Sequence, residues 1–214
     1  MPPLATPAEA ELAAAAAELE AGRPVAVPTD TVYGLAADPR QAGAGEALFA
    51  LKGRPPGLAL PVLVAGEDEA LALTAVGPAR RALAVLAARF WPGPLTIVVP
   101  QAAGLGFFLG GDGDSVGLRC PGHPLLLGLL ARSGPLAVTS ANRHGEPPCT
   151  TAAEVRAAFA GEQLRVLDGG RCDGAPSTVV SLLGTSGGAG AEEALVLLRP
   201  GPLDLEELRR ALEG

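Results

Sequence analysis

VAVPTDTVYGLAADPRQAGAGEALFALKGRPPGLALPVL, residues 25–63, is the stretch from which the rest of the chain is read. A short apolar run, Val25 to Val27, stops at Pro28 and opens into the polar triplet Thr29-Asp30-Thr31. Such a run, bounded by a breaker, predicts a buried strand. Tyr33, the only tyrosine, and Gly34 follow. Residues 41–51 predict a helix that delivers Lys52-Gly53-Arg54-Pro55. Lys52 is the only lysine among 16 basic residues. A composition that uses arginine almost everywhere else, yet keeps one lysine beside Arg54, points to a function for that lysine. A solvated surface lysine is the plainer alternative.

Outside this stretch the composition sets bounds. The 214 residues, 48% of them hydrophobic, suffice for one domain with a sizeable core. Gly 29 and Pro 21 come close to the level of low-complexity chains, but they are spread evenly among regular apolar runs, as in a biased genome composition. A net charge of −7 with scattered arginines disfavours nucleic acid as the primary ligand, because phosphate contacts call for a basic stripe. Cys120, Cys149 and Cys172 have no C-x-x-C spacing, which suits a reducing cytoplasm. No apolar run reaches the ~18 residues of a membrane span and no signal peptide is evident, so a soluble cytoplasmic protein is expected.

Taken in order, the chain predicts a helix over 7–21, started by the capping-box pattern Thr6-Pro7-Ala8-Glu9 and ended at Gly22. After the 25–27 strand and the 41–51 helix come a strand at 61–65 and helices at 67–74 and 78–89. Trp91-Pro92-Gly93-Pro94 breaks the second helix before a strand at 95–99. The glycine-rich segment 101–114, with Phe107-Phe108 in its middle, reads as a loop over a cleft or as a hairpin with a buried tip. A strand at 115–120, a helix at 124–132 and a strand at 136–139 follow, then a helix from the capping box Thr151-x-x-Glu154 to Ala160. Strands near 163–167, 177–183 and 194–199 precede a helix capped by Asp204. Helices alternating with strands, then a strand-rich tail, imply an α/β (α+β) fold. Its twisted mixed sheet is flanked by helices, with a ligand cleft at the strand ends.

Three polar motifs each adjoin an apolar strand: Thr29-Asp30-Thr31, Thr139-Ser140-Ala141-Asn142 and Ser177-Thr178. Each alone also reads as a turn cap. Together with Lys52, Arg54, Arg119 and Arg199 they suggest one shared cleft. Arg119 and Arg199 end apolar strands, where a charge must reach water, pair with an acid or hold an anion. Four converging cations suit a ligand with several negative charges, such as a triphosphate together with a carboxylate. There is no P-loop and no strand–G-x-G-x-x-G–helix fingerprint. His123 and His144 lack metal-ligand spacing, and no G-x-S-x-G surrounds Ser140, so neither a zinc site nor a hydrolase triad is expected.

A family resemblance rests on seven ordered motifs: Pro28-Thr29-Asp30-Thr31-Val32-Tyr33-Gly34-Leu35, Lys52-x-Arg54-Pro55, Trp91-Pro92-Gly93-Pro94-Leu95-Thr96, Arg119-x-Pro121-x-His123-Pro124, Ser140-Ala141-Asn142, Ser177-Thr178-Val179 and Leu198-Arg199-Pro200-Gly201. In these the chain resembles the L-threonylcarbamoyladenylate synthases, in their short branch, as a single domain over 1–214. The resemblance implies synthesis of threonylcarbamoyl-AMP from L-threonine, bicarbonate or carbon dioxide, and ATP, with release of pyrophosphate, for modification of adenosine 37 in tRNA. It implies that Thr31, Arg119, Thr139 and Ser177 hold threonine. Lys52, Arg54, Ser115, Ser140, Asn142 and Arg199 would hold the nucleotide, with Lys52 and Arg54 as the catalytic cations and Mg2+ carried with ATP. A downstream tRNA-modifying transferase is the implied partner, with weak RNA binding at most. Leu58 and Leu63 stand where many members carry a polar residue and some a histidine, and Cys149 where proline or serine is usual. A double-stranded RNA-binding module without catalysis is the competing reading.

Overall fold

A computed structural model describes residues 6–53, 59–111, 113–184 and 194–213. The chain runs α1 (Pro7–Glu20), β1 (Val25–Val27), β2 (Gly34–Ala37), α2 (Ala44–Lys52), β3 (Val62–Leu63), α3 (Glu67–Leu73), α4 (Pro78–Phe90) and β4 (Leu95–Pro100). It continues through β5 (Ser115–Arg119), α5 (Pro124–Ser133), β6 (Leu136–Ser140), α6 (Ala152–Ala158), β7 (Arg165–Val166), β8 (Thr178–Ser181), β9 (Val196–Arg199) and α7 (Leu205–Leu212). Both expected capping boxes form. The Glu9 N–H donates to Thr6 Oγ1 while Glu9 accepts from the Thr6 N–H, and Thr151 with Glu154 repeats the pattern at α6. Among the described residues no helix is long and apolar enough to cross a membrane.

The nine strands form one mixed sheet in the order β7-β1-β2-β6-β3-β5-β4-β8-β9. β1 with β7, β3 with β5 and β4 with β8 pair in parallel; the other five junctions are antiparallel. Side chains alternate between the two faces, and each face has its own core. One face gathers Ala26, Leu35, Val62, Ile97 and Leu118 with Leu48 of α2 and Leu83 and Leu86 of α4. The opposite face places Val25, Val27, Ala36, Leu63, Leu136 and Val138 beneath Leu12, Ala15 and Leu19 of α1 and Leu126, Leu129 and Leu130 of α5.

The expected architecture holds, with differences in detail. β2 was not expected. Its Gly-Leu-Ala-Ala sequence has no β-branched or aromatic residue and carries no strand signal of its own. It becomes a strand because it is buried on both faces between β1 and β6. Gly34 is required there, since a Cβ would lie 2.6 Å from Val138 Cγ1. The strands expected at 61–65 and 163–167 shrink to two residues each. The described residues of segment 101–114 are irregular, apart from a Gln101 bridge to Thr74 and a bond from the Gln101 N–H to Asp114 O at 2.9 Å. Leu109 anchors it by burying its side chain and accepting a bond from the Leu60 N–H at 2.7 Å, and Phe108 stands edge-on to Phe49.

Candidate active site

Helices α1 and α5 cover only part of their face of the sheet. Beyond them the same face continues across β5, β4 and β8 without a helix from the described residues, forming the floor of a cavity of about 360 Å³, within the usual range for small-molecule sites. Register explains what lines it. Ser115, Gly117 and Arg119 alternate along β5, facing Thr96 and Val98 of β4, which in turn neighbour Val179 of β8. The cleft therefore lies over a sheet face. Ser140 and Ser177 stand at strand ends beside it, and Thr31 reaches it from the loop between β1 and β2.

Arg119 defines one end. Its guanidinium is buried and donates through Nε to Gly93 O at 3.0 Å, through Nη1 to Thr31 Oγ1 at 3.0 Å and through Nη2 to Asp30 Oδ1 at 2.6 Å. Burial lowers its pKa, and the Asp30 carboxylate opposes that shift. Of five guanidinium N–H groups, three are thus committed, leaving one on each terminal nitrogen for a ligand. Thr29 builds the loop that presents Thr31: its hydroxyl donates to Val32 O and accepts from the N–H groups of Thr31 and Val32. A hydroxyl pair, Thr96 Oγ1 with Ser177 Oγ at 2.9 Å, lies on the same floor. Arg199 Nη2 reaches Ser177 Oγ at 3.0 Å and Ser177 O at 2.9 Å. Gly201 allows this approach, since a Cβ there would lie 2.2 Å from Thr178 N.

At the β6 end Lys52 Nζ, from the last turn of α2, donates to Ser140 O at 2.7 Å, Ser140 Oγ at 3.0 Å and Asn142 Oδ1 at 2.7 Å. Ser140 Oγ donates to Asn142 Oδ1 at 2.7 Å. Seven of the ten sequence-derived positions, Thr31, Ser115, Arg119, Thr139, Ser140, Ser177 and Arg199, line the cavity. Lys52 and Asn142 are buried immediately behind Ser140. Arg54 and Leu58 lie outside the described residues.

Leu63 lines the cavity as an apolar wall. Cys149 has a backbone role: its N–H donates to Ala141 O and its carbonyl accepts from the Tyr33 N–H, while burial pushes its thiol pKa up. A proline could not make the first of these bonds. Sequence reasoning did not single out Thr29, Asp30 or Thr96 as site residues. The first two sit inside a quoted motif, and the alternation Ser115-x-Gly117-x-Arg119 was the available sign that the whole strand face is a floor. Thr96 has no local sign, because its partner Ser177 is 81 residues away.

Hydroxyls and guanidinium groups on the part of one sheet face left open by α1 and α5 have the chemistry to bind an anionic, hydroxyl-bearing small molecule. The Sua5/YciO/YrdC family model, described as telomere recombination, matches residues 17–201, and the chain belongs to that family. It is 38% identical over 200 residues to the threonylcarbamoyl-AMP synthase of Pyrococcus abyssi, covering 92% of this chain and 56% of that protein. The threonylcarbamoyl-AMP synthase of Chromohalobacter salexigens is 43% identical over 159 residues, 74% of this chain and 84% of that one. The solved structure of P. abyssi Sua5 complexed with L-threonine matches at a TM-score of 0.83 and 37% identity, over 94% of this chain and 56% of that one. The chain thus spans about half the length of the P. abyssi relative.

Proposed function

We propose that this cleft makes L-threonylcarbamoyladenylate from L-threonine, bicarbonate or carbon dioxide, and ATP, releasing pyrophosphate. The observation that carries the reading is Arg119: a buried guanidinium, fixed from behind by Asp30, Thr31 and Gly93, with one N–H left on each terminal nitrogen. That fork suits a substrate carboxylate, with the hydroxyls of Thr31, Thr139 and Ser177 around it. Ser140, Asn142, Lys52 and Ser115 form the nucleotide end, and Arg199, bonded to Ser177, is assigned to the nucleotide, like Arg54, on its motif. In this scheme threonine's amine takes up carbon dioxide as a carbamate. A carbamate oxygen attacks the α-phosphorus of ATP, and the P–O bond to pyrophosphate breaks. The protein contributes position and fixed donors rather than a covalent step. Hydroxyl and cationic donors fit phosphate oxygens, so Mg2+ enters as the counter-ion of ATP rather than in a cage of protein carboxylates.

The product is a mixed anhydride, so a group-transfer enzyme acting on tRNA is its expected consumer and the protein's partner. A cytoplasmic setting is part of the same proposal, consistent with three buried cysteines that form no disulfide. The test is a purified reaction with ATP, Mg2+, threonine and bicarbonate. Pyrophosphate and an AMP adduct carrying threonine plus one carboxyl carbon are expected, and omitting bicarbonate should suppress both. Pyrophosphate release that needs threonine but ignores bicarbonate would mean simple amino-acid adenylation. No threonine dependence in a folded sample would sink the reading. The RNA-binding alternative is weaker, since Lys52, Arg119 and Arg199 are all bonded within the cleft of a chain with net charge −7. Tight duplex-RNA binding at ~150 mM salt would revive it.

A further inference from the structure

The single lysine stands behind Ser140 rather than in the lining of the cavity it was expected to serve. Lys52 is buried, and four oxygens surround its ammonium: Ser140 O, Ser140 Oγ, Asn142 Oδ1 and Asn142 O, at 2.7, 3.0, 2.7 and 3.4 Å. An ammonium has three N–H donors, so these acceptors saturate it. Ser140, by contrast, lines the cavity. Asn142 is locked as well: both hydrogens of its Nδ2 are used, on Arg143 O at 2.9 Å and Glu146 O at 2.6 Å, which fixes Oδ1 toward Lys52 and Ser140.

Resting on the nucleotide reading of this end of the cleft, we infer that Lys52 is a positioning residue for Ser140, not a phosphate ligand. The Ser140 hydroxyl has one proton, now given to Asn142 Oδ1. To donate to a ligand oxygen it must withdraw that proton. A buried acceptor stripped of its only donor would make the rotation costly. Here Asn142 Oδ1 keeps the Lys52 N–H, so the hydroxyl can turn into the cavity without leaving an unsatisfied group behind. The ammonium also donates to Ser140 Oγ itself, polarising its O–H and strengthening it as a donor. Lys52 thus makes Ser140 a donor that can be redirected when an anion arrives.

Because Lys52 is the only lysine, its side chain can be observed without mutation. In protein labelled with 15N-lysine, one side-chain ammonium signal is expected near neutral pH before any nucleotide is added, protected from exchange by burial. Adding ATP should shift it modestly and produce no coupling to 31P. An ammonium signal that is absent from the free protein and appears only with ATP, or that couples to phosphorus, overturns the inference. The second arm is a mutant cycle on kcat/KM for ATP. Lys52→Met and Ser140→Ala should each lower it at least about tenfold, and the double variant should lie within about threefold of the worse single one. Lys52→Arg should not restore activity, since a planar fork cannot occupy a pocket shaped for an ammonium. Additive losses, or rescue by arginine, would place Lys52 on the phosphates instead. If wild-type protein fails to bind ATP while the protected ammonium signal is present, it is the nucleotide reading that fails, and the lysine network stands as structural.

Discussion

The two halves of one sheet face are built to the same alternation and put to opposite uses. Under α1 and α5, the side chains of β1, β2, β3 and β6 that point to this face are Val25, Val27, Ala36, Leu63, Leu136 and Val138, and they are sealed. On β5, β4 and β8 the same face carries Ser115, Gly117, Arg119, Thr96 and Val179, and no helix among the described residues covers them. Leu63 and Val138 belong to that core and also line the cavity, so the border between core and cleft runs through single side chains. Burial by a helix therefore selects for hydrocarbon, and its absence permits the polar groups that a ligand needs. Arg119 is the extreme case: it is as buried as the core residues beside it, yet its neighbours are two hydroxyl- or carboxyl-bearing side chains and a carbonyl.

The largest effect should come from the open half. Arg119→Ala leaves the Asp30 carboxylate without its partner in a largely buried site, at a cost of about 3–5 kcal/mol of stability. It should also abolish saturable threonine binding, and Arg119→Lys should not restore it, because a point charge cannot replace the fork. Urea unfolding and threonine titration measure both; a stability loss below about 1 kcal/mol would show the pair to behave like a surface ion pair. In the sealed half, Leu129→Ala opens a cavity between α5 and the sheet and should cost about 2–5 kcal/mol. The difference to look for is functional: in the folded fraction KM for threonine should not move. A changed KM would mean that α5 shapes the cleft as well as the core.

A smaller effect is expected at Thr96. Thr96→Val removes the bond to Ser177 Oγ but keeps the shape, and Ser177 retains Arg199. The loss should be about 1 kcal/mol, read as a rise in KM for threonine with the unfolding midpoint nearly unchanged. The effect that is smallest at neutral pH, and emerges only in alkali, compares the two faces of one strand end. Arg119 faces the cleft, whereas its neighbour Cys120 faces the core, where burial pushes its thiol up to about 11. An unfolded thiol ionises near about 8.5. The folded pKa is the higher one, so this contribution to stability is intact below about pH 8.5 and is lost as pH rises through about 11. Stability should fall over that window, and Cys120→Ala should flatten the fall; an identical slope in the variant would assign it to other groups.

The parts of this comparison that the sequence displayed are the local ones. Thr6 with Glu9 and Thr151 with Glu154 announced two helix starts because a capping box needs only four consecutive residues. Polar motifs beside apolar runs pointed to Thr31, Ser140 and Ser177, all of which line the cavity. What stayed hidden was set by pairing across the chain. β2 has alanines where a strand former would be expected and is held only by its neighbours on either side. Thr96 reaches Ser177 because β4 lies parallel to β8, a register that no stretch of either strand encodes alone. The direction of Lys52 was hidden for the same reason: its residue type suggested phosphate, and only its four oxygen neighbours reveal where its donors go.

Arg199 sits on β9, an edge strand, which among the described residues pairs only with β8, through a register shift, and is exposed at all four residues. Edge segments with few buried contacts open with far less free energy than the whole molecule needs to unfold. The hold of Arg199 on Ser177 is therefore only as durable as the fraying of this rim allows. On warming, the cleft should be dismantled from its Arg199 side while the sealed half is still intact, so that function has a lower ceiling temperature than the fold.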